Sequence, residues 1–348
     1  MDFKQYLPSP SVYNFFLNGA WDFWQESTSK TLTATGGGTP TPVYAYAGDQ
    51  WYMNNILGGG TVEGIVTGSQ VAGTLNGSTW GGKYIVSTAP TGTGIQNGLE
   101  VYQVLSNFAT LPLYGQTVSA AVQVKANNNV TQVGLQFFYA ITEAKPTVAI
   151  GSEVLCTVNN SGFTRCFINA VPLGTSMTTS GVIGLRIRPT AVSSGNLYDL
   201  NNGFTLEQAM LNIGTVAFPF QRQHGSPTSE FSALEYFYEK SYNQTVVPGT
   251  ATQTGVFLGP QTPTGVVVGF AIPFKATKRI SGGSVSIWDC AGNASKLSEF
   301  NNGSFTRTDN LGTINANTAT QYGIFFEWTS GGGSVFTPGV HWVCDARI

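Results

Sequence analysis

The sequence predicts an all-β protein, two β domains of sandwich or barrel type joined by one short helix. Three observations predict it. Short alternating or fully apolar runs dominate, among them "TVSAAVQVKA" (117–126), "VTQVGLQFFYAI" (130–141), "GVIGLRIRP" (181–189), "GVVVGFAIPF" (265–274), "YGIFFEWTS" (322–330) and "GVHWVCDARI" (339–348). Clusters of Gly, Asn, Ser, Thr and Pro separate them, as turns separate strands. Helical spacing occurs in one segment only, 226–242.

Taken in order, residues 1–13 carry Phe3, Tyr6 and Leu7 with two prolines and no periodicity. Proline removes a backbone donor and breaks helices, so this is an extended arm. Its apolar side chains gain nothing in water, which predicts docking on another protein or a neighbouring subunit; a strap over its own domain is the alternative. "NFFLNGAWDFWQES" (14–27) reads as the first strand of a core. Alternation puts Trp21 and Phe23 on one face and Asp22 and Trp24 on the other, with Trp51 as a partner. "TLTATGGGTPTP" (31–42) is a surface loop, and 58–98 reads as loops with short edge strands. Cys156 and Cys166 bracket the turn-like Asn159-Asn160-Ser161-Gly162 and could face each other across a hairpin. The N-terminus shows no secretory signal, so two reduced thiols are expected.

In 226–242 Ser226 caps and Pro227 suits the first helical position. Phe231, Leu234, Tyr238 and Tyr242 form one stripe, which Phe237 widens. The domains read as an arm at 1–13, a β domain at 14–222, a linker helix at 223–242 and a C-terminal β domain at 243–348. In the last strand, His341 and Val343 share one face, Trp342 and Cys344 the other.

Composition excludes several functions. The 348 residues suit two domains, and 41% hydrophobic residues supply core material, which argues against disorder. Charged residues are only 10% of the chain, net charge is −2 and no Lys/Arg-rich run occurs, so the basic stripe that a nucleic-acid binder needs to neutralise phosphates is missing. No apolar run approaches a membrane span, and no Cys spacing suits zinc. Of the two His, His224 lies in a linker and His341 in a strand. There is no G-x-S-x-G elbow, and the short repeats of a β-helix are missing. The 18 carboxylates are scattered, so no glycosidase pair is readable. "YDLNNG" (198–203) reads as an ordinary Asx turn in preference to a Ca²⁺ site. The expectation is a non-enzyme with no cofactor.

Six segments in order resemble a family of tailed-bacteriophage virion proteins found in tail fibres and related appendages. The opening stretch is similar to its first motif through Phe15, Phe16, Asn18, Gly19, Phe23, Trp24 and Gln25, with Glu26-Ser27 where the family has Arg-Gly. "AGDQWYM" (47–53) resembles an Ala-Asp-Arg-Trp stretch, with Gln50 replacing the Arg. "GLEVYQVLSNFATLPLYGQTVSAAVQVKA" (98–126), "GFTLEQAMLNIGTVAFPFQRQ" (203–223), "LEYFYEKSY" (234–242) and the terminal "VCDARI" complete the likeness. The resemblance implies a carbohydrate-binding-module-like jelly-roll β-sandwich followed by a smaller C-terminal β-sandwich. It also implies a virion location, a homotrimer, host-surface polysaccharide as a partner and other virion proteins met through the arm. A head decoration, head-fibre or cement protein without a receptor is the alternative, favoured by the short N-terminal arm and the missing shaft.

Sugar binding needs an aromatic platform rimmed by neutral donors and acceptors. The candidates are Trp80 in "GSTWGG", Trp288 in "IWDC" and Tyr322 in "TATQYG", with packing or an interface as the competing role of each.

Overall fold

A computed structural model of the chain describes residues 13–347 except 35–42, 56–63, 92–97, 141–147, 175–180, 224, 262, 264–266, 281–282, 302–305, 312–313 and 330–334. Phe3, Tyr6, Leu7 and His224 lie outside the described residues. The chain divides into two compact units, residues 1–230 and 231–348.

The first unit holds β1 (Ser29–Thr33), β2 (Val43–Tyr46), β3 (Trp51–Asn55), β4 (Ile65–Ala72), β5 (Trp80–Thr88), β6 (Leu99–Val104), a single helical turn α1 (Asn107–Thr110), β7 (Thr117–Asn127), β8 (Val130–Ala140), β9 (Val148–Thr157), β10 (Thr164–Pro172), β11 (Val182–Val192) and β12 (Gly203–Ile213). They form two six-stranded antiparallel sheets, ordered β1-β4-β5-β12-β7-β10 and β2-β3-β6-β11-β8-β9. From β6 to β8 and from β9 to β12 the chain switches sheets at each step, as in a jelly roll. The alternation read in 117–126 and 130–141 places Val118, Val122 and Val124 of one sheet against Val133, Leu135 and Phe137 of the other. Side chains of this size contribute about 1.5–3 kcal/mol each when fully buried.

Residues 14–27 are not a strand. Asn18 and Trp21 have φ of 51° and 58°, and side-chain amides replace the ladder. Asn14 Nδ2 donates to Ala209 O and Gln221 O, and its Oδ1 accepts from Phe16 N and Leu211 N. Asn18 Nδ2 donates to Phe23 O and Asp49 O. A backbone that does not alternate buries Trp21, Phe23 and Trp24 together. Trp21 stacks on Trp51 at 4.2 Å and donates through Nε1 to the Tyr84 hydroxyl. Gly82 makes room, since a Cβ there would lie 2.6 Å from Trp21 Cδ1.

Cys156 and Cys166 are joined in a disulfide, contrary to the expectation of free thiols. Nor do they span a hairpin. β9 pairs with β8 and β10 with β7, so the bond ties an edge of one sheet to an edge of the other. Compartment is only a prior for a thiol, whereas two edges brought side by side decide its partner. Cys290 and Cys344 are free and buried.

The predicted helix is shorter than its stripe. α2 runs Pro227–Leu234 and contains the unit boundary. Tyr238–Lys240 is instead a strand, β13, paired with the end of the chain. Its aromatic neighbours suit a sheet, and the ladder overrides local periodicity. Tyr238 lies under the Arg347 guanidinium at 4.3 Å, and Tyr242 stacks on His341 at 4.1 Å.

The second unit continues with β14 (Phe257–Leu258), β15 (Val267–Pro273), β16 (Ser284–Trp288), β17 (Leu297–Asn301), β18 (Arg307–Leu311), β19 (Ile314–Ala319), β20 (Gly323–Thr329) and β21 (Phe336–Asp345). β21 is its hub, pairing with β13, β14, β16 and β17. β15-β20-β19 form a second sheet. Phe270, Ile324, Phe326, Trp328, Val340 and Trp342 belong to the core of the unit. Lys278 is fully buried; its Nζ donates to Glu239 Oε2 and Glu235 O, with the Phe274 ring 4.7 Å away.

Candidate functional site

The residues that alternate with the core positions of β3, β6, β8 and β11 lie on the opposite face of their sheet, and many of them are buried: Tyr52, Tyr102 and Phe138 belong to a second hydrophobic cluster. Tyr46, Tyr52 and Tyr102 sit at matched register on three neighbouring strands and form a ladder of rings, 4.1 Å and 5.2 Å between successive centroids. Phe138 meets Tyr102 edge-on at 5.9 Å. The face becomes polar with Arg186 and Gln136, level with Tyr102, and with Asn54 and Glu100, two residues further along their strands. Asn54 Nδ2 donates to Glu100 Oε2, Arg186 Nη1 to Glu100 Oε1 and Arg186 Nη2 to Gln136 Oε1. Among the described residues Asn54 Oδ1 and Arg186 Nε are buried without a partner. Arg188 Nε and Nη2 donate to the two oxygens of Glu153, both at 2.7 Å.

That last pair depends on a glycine. Glu153 is on β9 and Arg188 on β11, with β8 between them. Glu153 crosses over Gly134 of β8, where a Cβ would come within 2.4 Å of its Oε1. Glu153 lies in a β-bulge of β9, where the β8–β9 register shifts between the Leu135–Val154 and Phe137–Ile150 pairs. The bidentate hydrogen bonds from Arg188 hold the Glu153 carboxyl below its ordinary pKa, and Glu153 raises that of Arg188.

Beside this pair, where β6 begins and β11 ends, is a cavity of about 270 Å³. Its polar lining is Glu100, Gln132, Glu153, Arg188, Thr190 and Tyr198; its apolar wall includes Leu99, Leu155, Pro189 and Leu197. Thr190 Oγ1 donates to Gln132 Oε1 at 3.1 Å, fixing the amide. Both carboxylates in the lining are paired with arginine, so four charged side chains, Glu100, Glu153, Arg186 and Arg188, sum to zero.

None of the aromatic residues singled out in the sequence lines this cavity. Trp80, 38% exposed, starts β5 in the first unit, its backbone N–H donating to Asp22 Oδ1. Trp288 and Tyr322 belong to the second unit. Trp288 is half-buried, with Tyr242 edge-on at 6.2 Å and Gly249 close to its Nε1. Tyr322, 70% exposed, stands on the turn before β20. The residues that do line the cavity had a signal in the sequence: Glu100, Gln132 and Arg188 are the polar members of alternating strands whose other members build the core. Among the described residues no group of three His, Cys, Asp or Glu could hold a metal ion.

No family model matches the sequence, and neither does any curated protein. Several solved structures are similar at low level. One is the enzymatically active domain of tailspike protein 4 of bacteriophage CBA120, at 13% identity and TM-score 0.31 over 58% of this chain. The chain spans only 21% of the length of that tailspike chain. Another is the C-terminal family 22 carbohydrate-binding module of Clostridium thermocellum Xyn10B, at 13% identity and TM-score 0.32, covering 49% of this chain and 89% of the module. The tandem of two such modules from Paenibacillus barcinonensis Xyn10C is similar over 91% of this chain and 93% of its own, at 7% identity and TM-score 0.30.

Proposed function

We propose that this chain is a non-enzymatic structural subunit of a bacteriophage virion, of tail-fibre or similar appendage type, that recognises host-surface glycans through the cavity beside β6 and β11. The observation that carries the reading is the chemistry of that cavity: fixed, charge-compensated hydrogen-bonding groups beside an apolar wall, built on strands of a sandwich. Such an arrangement suits a hydroxyl-rich ligand. Catalysis of glycoside cleavage asks for a carboxyl with a raised pKa to donate a proton, and Arg188 acts on Glu153 in the opposite direction. The ordered run of motifs from Phe15 to the terminal "VCDARI" supports the virion setting.

In this reading the protein stands on the particle surface as a homotrimer, attached to other virion proteins through the segment that contains Phe3, Tyr6 and Leu7. Val267, Ala271 and Phe325, exposed on one face of the β15-β20-β19 sheet, are the surface self-association would cover. The test is binding of the purified protein to an array of bacterial surface polysaccharides, with an Arg188→Ala variant as control. Retention on some polysaccharides, weakened at least tenfold in the variant, is the expected result. Binding to none would overturn the glycan reading and leave a decoration protein without a receptor.

A further inference from the structure

The hydrogen-bonding groups of the cavity are unevenly committed. All four carboxylate oxygens of Glu100 and Glu153 already accept from Asn54, Arg186 or Arg188. Arg188 spends Nε and Nη2 on Glu153, and its Nη1 has no partner among the described residues. Gln132 accepts from Thr190 through Oε1, and among the described residues its Nε2 has no acceptor. Nor has the Tyr198 hydroxyl, also in the lining, a partner among them. What the cavity has to offer first is therefore N–H and O–H donors, beside the apolar carbons of Leu99, Leu155, Pro189 and Leu197.

A ligand that fits must bring an acceptor and a small apolar group together. It must also be uncharged, because neither arginine has a spare positive charge, and an added anion would lie against Glu100 and Glu153. Size limits it as well: about 270 Å³ falls just below the usual range of ligand pockets, about 300 to 1,000 Å³. That is room for one sugar ring and its substituent, not for a stretch of polymer.

We infer that the cavity takes a single N-acetylated sugar residue, its acetamido carbonyl accepting from Arg188 Nη1 and Gln132 Nε2 and its methyl group lying on the leucine and proline wall. This rests on the glycan-recognition reading and narrows it to one substituent. The specificity is for the acetamido group over a hydroxyl or a carboxylate at the same ring position.

The test is titration calorimetry of the whole chain with chitobiose, cellobiose and a glucuronic-acid disaccharide, on the unaltered protein and on Gln132→Leu. Gln132→Leu keeps the Arg188–Glu153 pair and removes one donor; its melting curve checks the fold. Binding of chitobiose at least about tenfold tighter than cellobiose, falling to under threefold in Gln132→Leu, is expected. Equal binding of chitobiose and cellobiose, or tightest binding of the glucuronic-acid disaccharide, overturns the acetamido inference while leaving a glycan site. So does a chitobiose preference that survives in Gln132→Leu. Failure of all three probes in a protein that still binds bacterial polysaccharide on the array overturns the inference alone; failure on both overturns the glycan reading with it.

Discussion

Replacing Asn14 by Ala should destabilise the first unit far more than a single polar residue near a chain end suggests. The side chain uses its full capacity: two N–H groups donate to Ala209 O and Gln221 O at 2.9 Å, and Oδ1 accepts from Phe16 N at 3.1 Å and Leu211 N at 3.0 Å. It thereby fastens residues near 14 to β12 and to the segment after it. Each bond contributes about 0.5–1.5 kcal/mol net, so loss of four costs about 4 kcal/mol at the middle of that range. In a unit of this size 1 kcal/mol moves the midpoint by about 2–4 °C, so Tm should fall by roughly 8–16 °C. Differential scanning calorimetry reads this, and Trp fluorescence localises it, because Trp21, Trp24 and Trp51 are buried in the same core. Asn14→Asp should be no better than Ala at neutral pH, since a carboxylate oxygen would then face two carbonyls, and should recover as the pH falls and it is protonated. A fall in Tm below about 2 °C for Asn14→Ala would refute the reasoning and show that water replaces the amide without cost.

Four further outcomes are expected. Alkylation of the unreduced, denatured protein should label Cys290 and Cys344 only, and Cys156→Ser with Cys166→Ser should lower unfolding free energy by about 2–3 kcal/mol, the value for closing a loop of this length. Lys278→Met should cost the second unit about 3–5 kcal/mol by denaturant titration, because Glu239 keeps an uncompensated buried charge; adding Glu239→Gln should restore part of it while still accepting from Lys275 N. The lowered pKa of Glu153 means that its pair with Arg188 stabilises fully above the ordinary Glu value of about 4.3 and that this is lost as the pH falls through the lower folded value; Glu153→Gln should flatten that part of the acid limb. Burial lowers the pKa of His341, so the unfolded chain binds its proton more readily, and stability should decline as the pH drops below about 6.5, a decline that His341→Gln removes.

The strands were legible because both sheets of the first unit bury one face against the other, so β7, β8 and β11 carry their alternation openly. Asn14 and Asn18 were not legible. An amide that replaces a strand ladder looks, in sequence, like any polar residue between aromatics, and the aromatics around it suggested a strand. The helix was overdrawn for the reverse reason. Phe237, Tyr238 and Tyr242 fit a helical stripe, but β21 offered a ladder partner that local spacing does not reveal. The candidate site shows the same limit. The sequence drew attention to the aromatic residues Trp80, Trp288 and Tyr322, whereas most of the polar lining of the cavity comes from residues of ordinary strands. Their alternation was visible, but the crossing of Glu153 over Gly134 joins residues from β8, β9 and β11 and has no signature along the chain.

The strand order has a consequence for how the protein is made. β21 holds β13, β14, β16 and β17 in register, and β12 stands between β5 and β7 in the first unit. During synthesis each unit therefore waits for a strand that emerges late. Until residues 203–213 leave the ribosome, β5 and β7 have open edges towards each other, and until 336–345 emerge four short strands have no hub. These long-range pairings make folding slow and leave nascent chains exposed to mispairing with their neighbours. Fragments that stop short of either strand should collect as aggregates.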